Sequence, residues 1–155
     1  MGKFSEASRR TPKTSSKGFS NDDVYVSKSG YLDTCNAKGY GLYANRSFLK
    51  GDVIQEYRGK RISKQQSDKK LNNTQYMFAV KKKKTIVFVI DAAVAKTSSA
   101  ARYVNSVIDY TDNKRNTEFV QYDKKIYLVA TKKIDKDEEL ISFYGENTDI
   151  IICST

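Results

Sequence analysis

With eleven tyrosines, two cysteines and no histidine, this chain can do chemistry only through phenol hydroxyls, carboxylates, lysine amines, thiols and backbone groups. The absence of histidine removes the usual base of a nucleophilic triad and the side chain best suited to proton transfer near neutral pH. Cys35 and Cys153 are too few for a structural zinc site, so no metal is expected and both read as ordinary reduced thiols. Tyrosine pairs an apolar ring with a hydroxyl that donates and accepts, which suits a lined pocket or β structure. The chemistry left open must rely on tyrosine, carboxylates, lysine or the positioning of a reactant.

Taken singly, the short motifs say little. Lys38-Gly39-Tyr40-Gly41 is a lone Gly-x-Gly, where backbone can approach a ligand closely. It lacks the third glycine and the helix of a dinucleotide fingerprint, which disfavours NAD. Asp137-Glu138-Glu139-Leu140 reads as a solvated turn before a strand, and Arg102-Tyr103-Val104-Asn105-Ser106 is unremarkable alone. Their order is more specific. The chain runs through Gly39-Tyr40-Gly41, Glu56-Tyr57-Arg58-Gly59, Gln75-Tyr76-Met77-Phe78, Asp91-Ala92, Arg102 to Val107 and Glu138-Glu139-Leu140-Ile141-Ser142-Phe143-Tyr144-Gly145. In that order it resembles the SET-domain family of protein lysine methyltransferases, in a compact form similar to viral and microbial SET proteins and histone monomethylases. The link from Ala44 to Gly51 and the placing of Asn116 fit the same family text, and the resemblance spans about Gly30 to Thr148.

The resemblance implies a mostly β SET-domain fold of several small twisted sheets, few short helices and a pseudoknot crossing, where the closing Tyr144-Gly145 passes beneath the chain carrying Asn105. It implies S-adenosylmethionine as cofactor and transfer of its methyl group to a lysine amine. Gly39, Tyr40 and Gly41 would meet the methionine end of the cofactor, while Arg102, Asn105 and Ser106 would hold its adenosyl and amino-acid parts. Tyr144 would be the catalytic tyrosine, with Tyr57 and Tyr76 lining the lysine channel and Tyr76 and Tyr144 also facing the cofactor. The chain departs from the family at Ser106, where a histidine is usual, at Ser142, where an aromatic is usual, and in a long insertion from Ile108 to Arg115. No cysteine-rich cluster follows Gly145, so Ile150-Ile151-Ile152 or a homodimer partner would have to supply the cofactor lid.

The elements that must position these residues are short. Residues 1–22, rich in Ser, Thr, Lys and Arg, read as a disordered basic arm, 23–148 as the SET domain and 149–155 as a short C-terminal tail. Strands are expected at Val24 to Val26, Gly41 to Ala44, Asp52 to Tyr57, Glu118 to Gln121, Lys125 to Thr131 and Leu140 to Phe143. Tyr76 to Val80 and Thr85 to Ile90 read as a hairpin with a lysine tip, Ile62 to Leu71 as one helix and Ala92 to Val104 as a helical turn.

The net charge of +10 is unevenly spread. Ten basic residues between Arg58 and Lys84 face Asp68 alone, whereas six acids between Ile134 and Asp149 face Lys136 alone. The first stretch suits phosphates, with a DNA contact expected through Lys81-Lys84; the second suits a cationic peptide. The expected protein partner is an extended lysine-containing peptide, a histone tail by family analogy. No apolar run approaches the roughly 20 residues of a membrane span, and Glu6 breaks the myristoylation pattern, so a soluble intracellular protein is expected. Its place would be the nucleus (the host's, for a viral or secreted microbial protein), otherwise the cytoplasm. Two other classes stay open: a SET fold that binds peptide or cofactor without catalysis, and a basic β-domain that binds nucleic acid.

Overall fold

The computed structural model describes residues 5–6, 19–30, 39–70, 76–107 and 111–143. Among these described residues eleven strands form three small sheets: β1 (Ser5–Glu6), β2 (Val24–Lys28), β3 (Tyr40–Ala44), β4 (Val53–Glu56), β5 (Lys60–Ile62), β6 (Met77–Lys82), β7 (Thr85–Asp91), β8 (Asn105–Ser106), β9 (Thr117–Tyr122), β10 (Lys125–Ala130) and β11 (Glu139–Ser142). One sheet runs β1-β6-β7-β5, the second β4-β10-β9 and the third β2-β3-β11-β8. The two long hairpins follow from period-two runs of Val, Ile, Phe and Tyr around two-residue turns.

All three sheets share one core, centred on Tyr57, Phe78 and Phe119 and including Leu42, Ile54, Leu128 and Leu140. The Tyr57 ring meets Phe78 edge-on at 4.7 Å and Phe119 at 5.5 Å between centroids. β11 lies between two strands remote in sequence, antiparallel to β3 through Leu140↔Leu42 and parallel to β8 through Ile141↔Asn105. A parallel neighbour reached across intervening strands is the kind of crossing that the family resemblance implies.

The helical expectations need correction. Ile62 is the last residue of β5, paired with Val89 of β7, so the helix starts later and covers only Lys64–Asp68 (α1). Ser63 caps it: its hydroxyl accepts from Gln66 N–H, and the Gln66 side chain accepts from Ser63 N–H. Ala92 to Val104 holds two 3₁₀ turns, Ala95–Thr97 and Ala100–Tyr103, rather than one helical turn. Ser99 separates them because its hydroxyl donates to Glu56 O at 2.6 Å and accepts from Arg58 N–H at 3.0 Å, tying the chain to the end of β4. Three strands had no signal in the sequence, β1, β5 and β8. From the N-terminal arm, Ser5–Glu6 pairs with β6, Phe19 packs near Tyr127, and Ser20 O accepts from Gln55 Nε2. Cys35, Cys153 and Tyr144 lie outside the described residues.

Candidate active site

The Gly-x-Gly motif enters β3 where β3, β8 and β11 converge, and one carboxylate organises that junction. Ser29 Oγ donates to Glu139 Oε2 at 2.6 Å, and Asn105 Nδ2 donates to the same oxygen at 3.1 Å. The Asn105 carboxamide also donates to Tyr40 O at 3.0 Å, so it spans β3 and β11 from β8. Tyr43 OH donates to Lys28 O at 2.6 Å, accepts from Gly30 N–H at 3.1 Å and lies 3.4 Å from Glu139 Oε1. Gly39 is buried and its carbonyl accepts from Ser29 N–H, whereas the Tyr40 side chain is 57% exposed.

Gly41 has a use that sequence alone did not suggest. A Cβ there would run into the Glu139 carboxylate, with Cδ at 2.9 Å and Asn105 Nδ2 at 3.3 Å. The missing side chain thus makes room for two of the protein's own polar groups rather than only for a ligand. On the far side of β11, Asn116 behaves as a substitute strand partner: Nδ2 donates to Glu139 O at 2.9 Å and Oδ1 accepts from Ile141 N–H at 2.8 Å. Ser106 is buried within β8, and its hydroxyl donates to Val107 O.

The tyrosines of the expected lysine channel sit along a second wall. Tyr57 is 1% exposed, and its hydroxyl donates to Tyr76 O at 2.8 Å. Tyr76 is half-buried, with the Arg102 guanidinium 4.3 Å from its ring centroid and 4.8 Å from that of Tyr103. Arg102 also donates to Ala92 O at 2.7 Å and Ala93 O at 3.0 Å, so it fastens the Asp-Ala step to the second 3₁₀ turn. Asp91 is buried; it meets Lys70 Nζ at 2.5 Å and accepts from Ala93 N–H at 2.9 Å. Gly59 lets this step approach, since a Cβ at 59 would meet the Asp91 carbonyl carbon at 2.7 Å and Ala92 N at 2.9 Å.

Beside Glu139 opens a cleft of about 430 Å³ lined by Gly30, Lys114, Asn116, Lys132 and Glu138, among others. Burial raises the Tyr43 hydroxyl above its ordinary pKa of 10.0, opposed by the Gly30 N–H and reinforced by the Glu139 charge. The Tyr25 hydroxyl is raised chiefly because it donates to Asp137 Oδ1, at 2.9 Å. Chemically, the junction is rich in acceptors and carries a partly buried carboxylate, so it suits a cationic or hydrogen-bond-donating ligand.

Of the residues singled out in the sequence, Gly39, Tyr40, Gly41, Asn105 and Ser106 come together at the junction, and Tyr57, Tyr76 and Arg102 along the wall. Glu139, Ser29, Tyr43 and Asn116 were missed as working members. Glu139 carries a signal, standing in the Glu-Glu-Leu motif, and Asn116 a weak one; Ser29 and Tyr43 carry none. Ser142 is fully buried, and among the described residues its hydroxyl has no hydrogen-bond partner. Among the described residues no group of His, Cys, Asp and Glu could hold a metal ion.

Three small sheets on one core, with the last strand wedged between a glycine strand and an asparagine strand, define the architecture of SET domains. The SET-domain family model matches residues 39–145, and the chain belongs to that family. The histone-lysine N-methyltransferase EZH2 of Chaetomium thermophilum is 28% identical over 132 residues, covering 80% of this chain and 8% of that protein. The chain therefore spans less than a tenth of the curated relative it matches. Among solved structures, ctPRC2 in an autoinhibited conformation bound to S-adenosylmethionine has TM-score 0.62 at 27% identity, over 83% of this chain and 16% of that one. The methyltransferase domain of human PR domain-containing protein 2 has TM-score 0.62 at 24% identity, over 83% and 82%, which is a likeness of fold. Among the described residues no helix is long and apolar enough to cross a membrane.

Proposed function

We propose that the chain is an S-adenosylmethionine-dependent protein-lysine N-methyltransferase. The observation that carries this reading is the Asn105 carboxamide joining Tyr40 O to Glu139, because it brings three separate family motifs to one point. The residues fit the cofactor. The carboxylate and carbonyl acceptors at the junction match its ammonium and sulfonium charges, and the strand ends on an exposed Tyr40 beside a glycine. Gly39, Tyr40, Gly41, Arg102, Asn105 and Ser106 would hold it, together with Tyr76 and Tyr144. When bound, S-adenosylmethionine supplies an activated methyl group.

The chain's own residues then orient and exclude water. Tyr76 and Tyr144 would form an aromatic sleeve around the substrate amine, with Tyr57 buried behind Tyr76 and bonded to its carbonyl, which disfavours the ammonium form and frees the nitrogen lone pair. The proton leaves to water, so the lack of histidine is no obstacle. Holding the amine in line is worth up to roughly 7–11 kcal/mol in well-oriented reactions, enough to make positioning the main contribution. Ser142 stands where the family usually has an aromatic, so the number of methyl groups added is set by a smaller residue here.

The substrate we propose is a lysine in an extended basic peptide, a histone tail, added as a strand beside the domain's own. A nuclear site of action follows from that substrate, in the host if the protein is viral or microbial. The test is transfer of radioactive methyl from S-adenosylmethionine to mixed histones, with calorimetry for cofactor binding. Labelled histone with a single modified lysine is the expected result. Cofactor binding without transfer would leave a non-catalytic SET module, and neither would end the proposal.

A further inference from the structure

We propose that the tips of the β6–β7 and β9–β10 hairpins together form a binding face for the phosphate backbone of duplex nucleic acid. The four lysines of the first tip are separated in sequence from those of the second, yet the fold brings the tips together. Gln121 joins them: its Oε1 accepts from Lys81 N–H at 3.0 Å, while its Nε2 donates to Lys81 O at 2.6 Å and Asp123 O at 2.8 Å. The bulge between Val80 and Lys81 is where β6 turns to meet that side chain. The face holds Lys81, Lys82, Lys83, Lys84, Lys124 and Lys125 against one acid, Asp123. Lys82, Lys83, Lys84, Lys124 and Lys125 are exposed, and among the described residues none is in an ion pair.

The first turn keeps its lysines at a conformational cost. Lys83 and Lys84 have φ of 49° and 68°, the left-handed region where a two-residue turn prefers Asn-Gly. A residue with a Cβ there costs roughly 1 kcal/mol, so both side chains are retained against turn stability. Every cation at the tips is lysine, a point charge that neutralises phosphates without arginine's bidentate fork. Tyr122, 50% exposed and paired with Lys125, adds one flat apolar contact at the rim. Six strand residues separate Tyr76 from the first turn, about 20 Å of β structure, whereas Lys125 of the second tip precedes Ile126, whose carbonyl accepts from Tyr57 N–H at 2.7 Å.

The experiment measures anisotropy of a labelled duplex of arbitrary sequence against salt, with Lys83→Asn/Lys84→Gly, Lys124→Ser/Lys125→Ser and the combined variant. No cofactor or transfer is involved, so failure here leaves the methyltransferase proposal intact. At about 0.9 in log–log slope per phosphate contact, each pair should lower the salt slope by close to 2 and the combination by about twice that. A changed duplex sequence should leave affinity within twofold. The Asn-Gly turn should raise the melting temperature, so its weaker binding would not be unfolding. A wild-type slope in the Lys124/Lys125 variant would overturn the two-tip face, and equal affinity for a poly-glutamate peptide would overturn the assignment to nucleic acid.

Discussion

At the Glu139 junction, one carboxylate is held by Ser29 from 110 residues earlier in the chain and by Asn105 from 34 residues earlier. At the Lys83-Lys84 tip, a turn is closed by residues next to one another, and the flanking register runs Lys82↔Thr85. The junction is partly buried and polar, and a side chain at Gly41 would have to displace the Glu139 carboxylate. The tip is exposed and tolerates side chains in a strained backbone region. Chemistry that depends on position belongs to the first kind of construction, where many partners must agree before any one is placed. Charge that acts through solvent belongs to the second, where local geometry is enough.

Substitutions should separate the two regions, the largest effect first. Tyr144→Phe should cut methyl transfer at least a hundredfold, about 2.7 kcal/mol, while cofactor affinity measured by calorimetry stays near wild type. Retention of a third of wild-type turnover would remove Tyr144 from the catalytic role. Gly41→Val should cost about 1–3 kcal/mol in denaturant unfolding and weaken cofactor binding, because its methyl groups collide with Glu139 and Asn105. If the Glu139 side chain is what it meets, Gly41→Ala and Glu139→Ser should be non-additive, the double variant recovering stability lost in the alanine variant. Additive losses would mean the collision is with something else.

Glu139→Gln keeps the shape and removes the charge. It should cost about 1–2 kcal/mol of stability, since charge-assisted bonds from Ser29 and Asn105 become neutral ones. Lys83→Asn/Lys84→Gly should move the other way, gaining about 1 kcal/mol, with turnover on a short lysine peptide unchanged within twofold. A large loss of peptide turnover there would join the regions that the structure separates. The smallest effect concerns pH. Tyr43 holds its proton more tightly in the folded protein than at its ordinary 10.0, chiefly through burial. Its contribution is present below the unfolded value and lost as pH rises through the higher folded one. The stability difference between wild type and Tyr43→Phe should therefore shrink as pH rises above about 10, and a constant difference would contradict the assignment.

The hairpins and their lysine tip were readable because period-two patterning and a two-residue turn are local signals, and the same holds for β2, β3, β10 and β11. β8 was not readable. Asn105-Ser106 has no strand pattern and is a strand only because β11 lies alongside. β5 was hidden for a similar reason, since Lys60-Arg61-Ile62 is polar and pairs only once β7 is present. The two 3₁₀ turns replaced the expected helical turn because Ser99 is bonded to Glu56 and Arg58, more than 40 residues away.

From the amino-acid order alone came the family, through motifs whose sequence survives without coordinates, along with the mostly β class and the uneven charge. Only the tertiary structure decided what those motifs do to one another. It gave Gly41 a second use as space for the Glu139 carboxylate, gave Arg102 a fastening task on Ala92 and Ala93, and set Lys124 beside Lys81 through Gln121. The physical reason is range: patterning and turn preference act over a few residues, whereas a hydrogen bond to the partly buried Glu139 carboxylate exists only after distant strands have closed around it.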